Sequence, residues 1–292
     1  MRPWPDIFRK AVDIAFWVMA AGVALLVAYA AGRILVADQF VIPTNSMMPT
    51  LQPGDRVIVD KTAMGARIYR NLDFKPEGQR LEAFRLKGRR RLHAGDVAVF
   101  NFPIIDDTIS FRINYVYCKR IAAAPGDSLW AVGGYYRNSN CPGLIGSETA
   151  QKRLADLKEK PVGFEGWEMG DSSWGWTIRD FGPYYAPRRG DLIALTPKEG
   201  RLYRRILEHE THRAIEVDDS LGIVLADGEP YPMHEFQDSY YFMAGDNVTD
   251  SYDSRYWGLV PEEHIVGAVT LITYSKNRSD GSLRRDRILK SL

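Results

Sequence analysis

Three stretches of the sequence carry side chains that could do chemistry together. The first is FVIPTNSMMPTLQPGDRVIV, residues 40–59, in which Ser46 stands between Pro43 and Pro49. Fixed φ angles and missing donors at the two prolines predict an irregular turn over residues 44–50 that presents a hydroxyl at the end of a strand, as a nucleophile is commonly mounted. A serine in a Pro-rich loop is more often only that. The second stretch is NYVYCKRI, residues 114–121, a strand-like run that places Lys119 on one face with Tyr117 and Ile121. At an exposed edge such a lysine snorkels into water. Desolvated among apolar neighbours, it loses its proton more readily and acts as a general base at neutral pH. The third stretch is GDNVTDSYDSR, residues 245–255, which on its own reads as a polar surface turn.

The elements that would position these residues are mostly strands. Phe40 and Ile42 alternate into Pro43, and a second strand over residues 56–59 follows the Pro53-Gly54-Asp55 turn. The same punctuation recurs: Gly54-Asp55, Gly95-Asp96, Gly126-Asp127 and Gly190-Asp191 precede the β-prone runs RVIV, VAVF, SLWAV and LIAL. Turn chemistry followed by short β-branched runs predicts a mainly β, barrel-like or sandwich domain. One helix interrupts it, capped by Ser147 and running to about Lys160, with Ala150, Leu154 and Leu157 on one face. Residues 161–187, rich in Gly, Pro, Trp and Tyr, read as an ordered insertion packed by aromatics. The tail after Ser275 is polar and basic and is expected to be loosely attached.

Residues 14–32 are uncharged and mostly apolar over 19 positions. At about 1.5 Å per residue they just cross a hydrocarbon core of roughly 30 Å. A cleavable signal is the competing reading, because Ala28-Tyr29-Ala30 mimics a cleavage site, but the run exceeds the usual apolar core of a signal peptide. Arg2, Arg9 and Lys10 precede the span, so the positive-inside rule puts residues 1–13 in the cytoplasm and the chain after Arg33 on the far side. Ser46 follows Arg33 by 13 residues, close to the outer membrane surface.

The 292 residues permit a sizeable core with 45% hydrophobic content, and the formal charge of +1 gives no overall field for nucleic acid. The basic run RLKGRRR, residues 85–91, reads as a solvated loop. Cys118 and Cys141 could pair in an oxidising compartment or remain free. His209 and His212 lack the spacing of a histidine metal pair, so no metal is expected.

Ser46-Met47-Met48-Pro49-Thr50-Leu51 resembles the nucleophile box of the bacterial type I signal peptidases, membrane-anchored Ser-Lys proteases that release signal peptides. The strand at residues 95–103 fits the same family. Lys119-Arg120 followed by Pro125-Gly126-Asp127 resembles its lysine box, with Ala123 where the family has glycine. Residues 245–261 resemble its last box, with Val248 where arginine is common. The resemblance implies Ser46 as nucleophile, Lys119 as general base and Ser251 as a hydroxyl that orients the amine. Asp246, Asp253 and Arg255 would form a supporting charge network, and the Thr44 hydroxyl with the Ser46 N–H would bind the oxyanion. Phe40, Ile42, Leu51, Tyr117 and Cys118 would line pockets for small side chains at −1 and −3, with the signal peptide added as a strand. No cofactor or metal is implied. The implied layout is a β-rich peptidase domain over residues 36–275 with an insertion at about 130–240, a transmembrane helix over 14–32 and a basic tail over 276–292. Partners would be exported preproteins and membrane lipid, with the domain on the extracytoplasmic side of the cell membrane. The alternatives are a Ser-Lys peptidase dedicated to one substrate, such as a conjugation pilin precursor, and an inactive membrane-bound peptide-binding homologue.

Overall fold

A computed structural model describes residues 4–157 and 174–292. Its centre is an antiparallel eight-stranded sheet. The order is Ala37–Val41, Asp55–Asp60, Ile265–Ser275, Val97–Asn101, Val116–Ala123, Tyr240–Ala244 and Val260–Pro261, with Lys290–Ser291 also paired to Ile265–Ser275. All four Gly-Asp turns carry a left-handed glycine, at φ values from +86 to +100, which explains the repeated choice of that residue ahead of a strand. The 11-residue strand Ile265–Ser275 reaches two neighbours, Asp55–Asp60 and Val97–Asn101, through register shifts that bend it. The sheet therefore curls.

Both faces of this sheet are covered. Along Val97–Asn101, Val97 and Val99 enter a core with Ile42, Met47, Leu51, Val57 and Val59, whereas Ala98 and Phe100 enter another with Ile121, Met243 and Trp257. A third core joins Ala122, Ala123, Tyr240 and Phe242 of the sheet to the inserted region. That region contains the three-stranded sheet around Ser128–Val132 and a second one around Ile223–Ala226. The helices Glu148–Asp156, Pro197–Leu202 and Arg204–Thr211 belong to it as well.

The helix begins as the sequence suggests, with Ser147 Oγ accepting from the Ala150 N–H at 3.3 Å, but it ends at Asp156. Residues 158–160 of the expected helix, and 161–173 of the aromatic insertion, lie outside the described residues. The basic run is largely consumed by the fold. Arg85 donates to the carbonyls of Gly65, Glu262 and Ile265, while Arg89 and Arg90 pair with Asp60 and Asp96.

The N-terminal helix Trp4–Leu35 is longer than the apolar run that marks it, and its stretch Phe8–Leu35 is long and apolar enough to cross a membrane. The tail corrects a sequence expectation. Residues 276–292 are docked, with the Arg287 guanidinium on the buried Asp55 carboxylate at 2.5 and 3.0 Å. Local composition could not show this because the partner lies 232 residues away.

Candidate active site

The Ser46 turn is closed at its neck, where Ile42 N–H donates to Asp55 O and Gly54 N–H to Ile42 O, both at 2.9 Å. Within it, Met48 N–H bonds Asn45 O and Leu51 N–H bonds Met47 O. Met47 and Leu51 plug into the core beneath, which leaves the half-buried Ser46 at the surface of a cleft of about 490 Å³.

Lys119 reaches Ser46 from the strand Val116–Ala123. Its Nζ lies 2.6 Å from Ser46 Oγ, and the side chain is 4% exposed. Burial lowers the pKa of this amine, and the nearby Asp253 carboxylate opposes the shift. A buried amine and a hydroxyl at hydrogen-bond distance form a base and nucleophile pair once the amine is neutral. Cys118 offers no rival nucleophile, because burial pushes its thiol up to about 12.

The third stretch forms the wall behind this pair. Asn247 N–H donates to Ser46 O at 3.0 Å, and its side-chain amide donates to Asn45 O at 3.3 Å. Gly245 is required there: a Cβ on it would stand 2.1 Å from Ser251 Oγ and 2.5 Å from Ser46 O. Asp253 and Arg255 pair at 2.7 Å with neither side chain exposed, and Asp253 Oδ2 also accepts from the Gly245 N–H. Asp246 belongs to a separate pair. It takes two hydrogen bonds from Arg120, at 2.6 and 2.7 Å, and Arg120 also donates to Gly95 O and Thr50 Oγ1. Val248, at the position where the family commonly has arginine, is buried in the core of the inserted region, and the cation that pairs with Asp246 is Arg120.

Ser251 is buried, and its hydroxyl has no hydrogen-bond partner among the described residues. The bond to Lys119 that the resemblance implied is therefore not made in this geometry. Thr44 is exposed at the rim, with Oγ1 3.3 Å from Ser46 Oγ. Ile42, Tyr117 and Cys118 line the cleft. Phe40 and Leu51 do not: Leu51 points into the core under the turn, and Phe40 packs at that core's edge on the Ala37–Val41 strand. Sequence reasoning passed over Val116, Asp250 and Tyr252, which also line it, together with Pro43, Asn45 and Met47 of the turn. Val116 was legible as the residue two before Cys118 on one strand face, whereas Asp250 and Tyr252 carry no local signal. Both cysteines are free and pack in different cores.

A sequence profile described as "Signal peptidase, peptidase S26" matches residues 14–274. The chain belongs to the signal peptidase family, peptidase S26. Three curated relatives, each named signal peptidase I, agree with this. The protein from Helicobacter pylori is 28% identical over 89% of this chain and 80% of its own. That from Buchnera aphidicola of Schizaphis graminum is 25% identical over 85% and 71%. That from Pseudomonas aeruginosa is 30% identical over 80% and 64%. In this family member the serine, lysine and last boxes, separated by 73 and by a further 132 residues for Ser46, Lys119 and Ser251, are brought to one cleft by the curled sheet.

Proposed function

We propose that the chain is a membrane-anchored serine endopeptidase that removes N-terminal signal peptides from exported preproteins, with Ser46 as nucleophile and Lys119 as general base. The observation that carries this reading is the 2.6 Å contact between Ser46 Oγ and a buried lysine amine whose pKa is lowered. Neutral Nζ accepts the hydroxyl proton as Oγ attacks the carbonyl carbon at the scissile bond. The oxyanion that forms is met by the Ser46 N–H and the Thr44 hydroxyl. Collapse breaks the C–N bond, Lys119 returns the proton to the departing amine, and the signal peptide stays esterified to Ser46. Water then attacks the ester with Lys119 again as base, which frees the carboxylate and restores the pair.

The preprotein segment is an extended strand along the cleft, with its −1 and −3 side chains against Ile42, Val116, Tyr117 and Cys118. Ser251 orients the Lys119 amine only once its side-chain oxygen moves into hydrogen-bond range, and Asp253, Arg255, Asp246 and Arg120 hold the wall that carries it. The helix Trp4–Leu35 spans the cell membrane with Arg9 and Lys10 on the cytoplasmic side, so the cleft faces the opposite side near the lipid surface.

Purified full-length protein is expected to cut a preprotein once, at its signal junction, and Ser46→Ala to lose the activity while staying folded by circular dichroism. A folded wild-type chain that cut no preprotein would leave the inactive peptide-binding homologue standing. Cutting of one pilin-like precursor alone would favour the dedicated peptidase.

A further inference from the structure

The turn that carries Ser46 cannot satisfy its own backbone. Pro43, Pro49 and Pro53 offer no N–H, and the turn has no strand partner, so several of its carbonyls need donors from elsewhere. Met48, Leu51 and Asp55 N–H groups serve Asn45, Met47 and Gln52, and Asn247 serves Ser46. Four more are met from one place. Pro43 O accepts from Arg278 Nη1 at 3.0 Å, Thr50 O from Arg287 Nη2 at 2.8 Å, Pro53 O from Arg284 Nη1 at 3.0 Å and Gly54 O from the Lys276 N–H at 3.1 Å. All four donors belong to the tail, which begins where the family match ends at residue 274.

The attachment is built into the chain. Arg287 is buried against Asp55 at the foot of the turn, and Arg284 also holds Ser275 Oγ at 2.8 Å. Gly54 takes φ +94, and a Cβ there would stand 1.8 Å from Lys276 O, so the tail approaches too closely for any other residue.

We propose that residues 276–292 are a clasp that holds the Ser46 turn in its reactive shape, with Arg278 as a positioning residue that acts through the Pro43 carbonyl on Thr44 and Ser46. This rests on the assignment of Ser46 as nucleophile. Arg287 and Arg278 divide the work. Arg287 secures the buried foot of the turn. Arg278 is exposed and grips the limb that leads directly into Thr44, so its loss lets water take over the Pro43 carbonyl at little expense to the fold. What is lost is the fixed placement of the Thr44 hydroxyl and Ser46 Oγ, a displacement felt in turnover rather than in substrate binding.

The test uses the full-length enzyme in detergent with one preprotein. Arg278→Ala is expected to lower kcat by about tenfold with KM and melting temperature unchanged, since small misplacements of reacting groups have large rate effects. Arg278→Lys, which keeps a long side chain with a terminal donor, should recover much of the rate. The double variant Arg278→Ala with Thr44→Ala should lose less than the product of the two single losses, because both changes displace the same hydroxyl. Normal kcat in Arg278→Ala, a loss that tracks a lower melting temperature, or full additivity with Thr44→Ala would each overturn the clasp. Ser46→Ala keeps the two readings apart: if that variant still turned over, the nucleophile assignment would fail whatever Arg278 did.

Discussion

Lys119 sits where an ammonium is hard to keep. Desolvation favours the neutral amine, and the Asp253 carboxylate, already committed to Arg255, offsets this only in part. Turnover is expected to rise with pH through the lowered pKa of Lys119, giving an ascending acid limb below the ordinary lysine range, read from kcat/KM against pH. Lys119→Arg should be inactive although it keeps the charge, because a guanidinium does not give up its proton to become a base. A folded Lys119→Arg with near-normal rates would remove Lys119 from the mechanism. Stability follows the same proton. The unfolded chain binds it over a pH range in which the folded protein has released it, so Lys119 lowers stability there, and the deficit shrinks as pH rises toward the ordinary lysine range. Lys119→Met should therefore be inactive yet no less stable at neutral pH, with its advantage closing in alkali; a variant markedly less stable at neutral pH would contradict this.

Among the elements, the segment from Gly245 to Arg255 shows why a polar run need not be a surface turn. Its Asp253 and Arg255 are both fully buried, and Asp253 also fixes the Gly245 backbone against which Ser46 packs. Asp253→Asn leaves a buried guanidinium without its counter-charge and is expected to cost about 3–5 kcal/mol, seen as a lower melting temperature together with lost cleavage. An unchanged melting temperature would mean that water or another carboxylate reaches Arg255. The strands were legible because their signals are local: a left-handed glycine in each Gly-Asp turn, then alternation that places Val57 and Val59 inward. The resemblance supplied the residues of the site, and the curled sheet brings Ser46 and Lys119 into contact. What local reading misses is set by distant partners. Arg120 is an unremarked neighbour of Lys119 until Asp246 faces it, 126 residues on. Leu51 looks like a pocket residue until the Met47–Leu51 turn drives it into the core. The tail looks loose until Arg287 finds Asp55.

At the scale of the whole molecule, the anchor and the catalytic domain share little. Side chains along the helix, such as Phe16, Trp17, Leu25 and Leu26, are exposed, and the stretch is long and apolar enough to cross a membrane. Among the described residues, the hydrogen bonds and ion pairs to the domain lie at the exit of the helix. There Arg33 pairs with Asp38, Lys61 Nζ donates to Arg33 O at 2.6 Å, and Lys61 N–H donates to Val36 O at 2.8 Å. None of the three cores draws a residue from Trp4–Leu35 among the described residues. Among the described residues, the helix therefore contributes no side chain to the cleft. Removing residues 1–34 is expected to leave a folded domain that cuts a short soluble peptide at the wild-type rate. A preprotein held in vesicles should be cut far more slowly by the same domain, because tethering raises the local concentration of enzyme at the bilayer and the shortened chain loses that advantage. Both rates can be read side by side with the two enzyme forms. Equal loss on both substrates would show that the helix supports the fold, and no loss on the vesicle-bound preprotein would show that the domain finds the membrane through another surface.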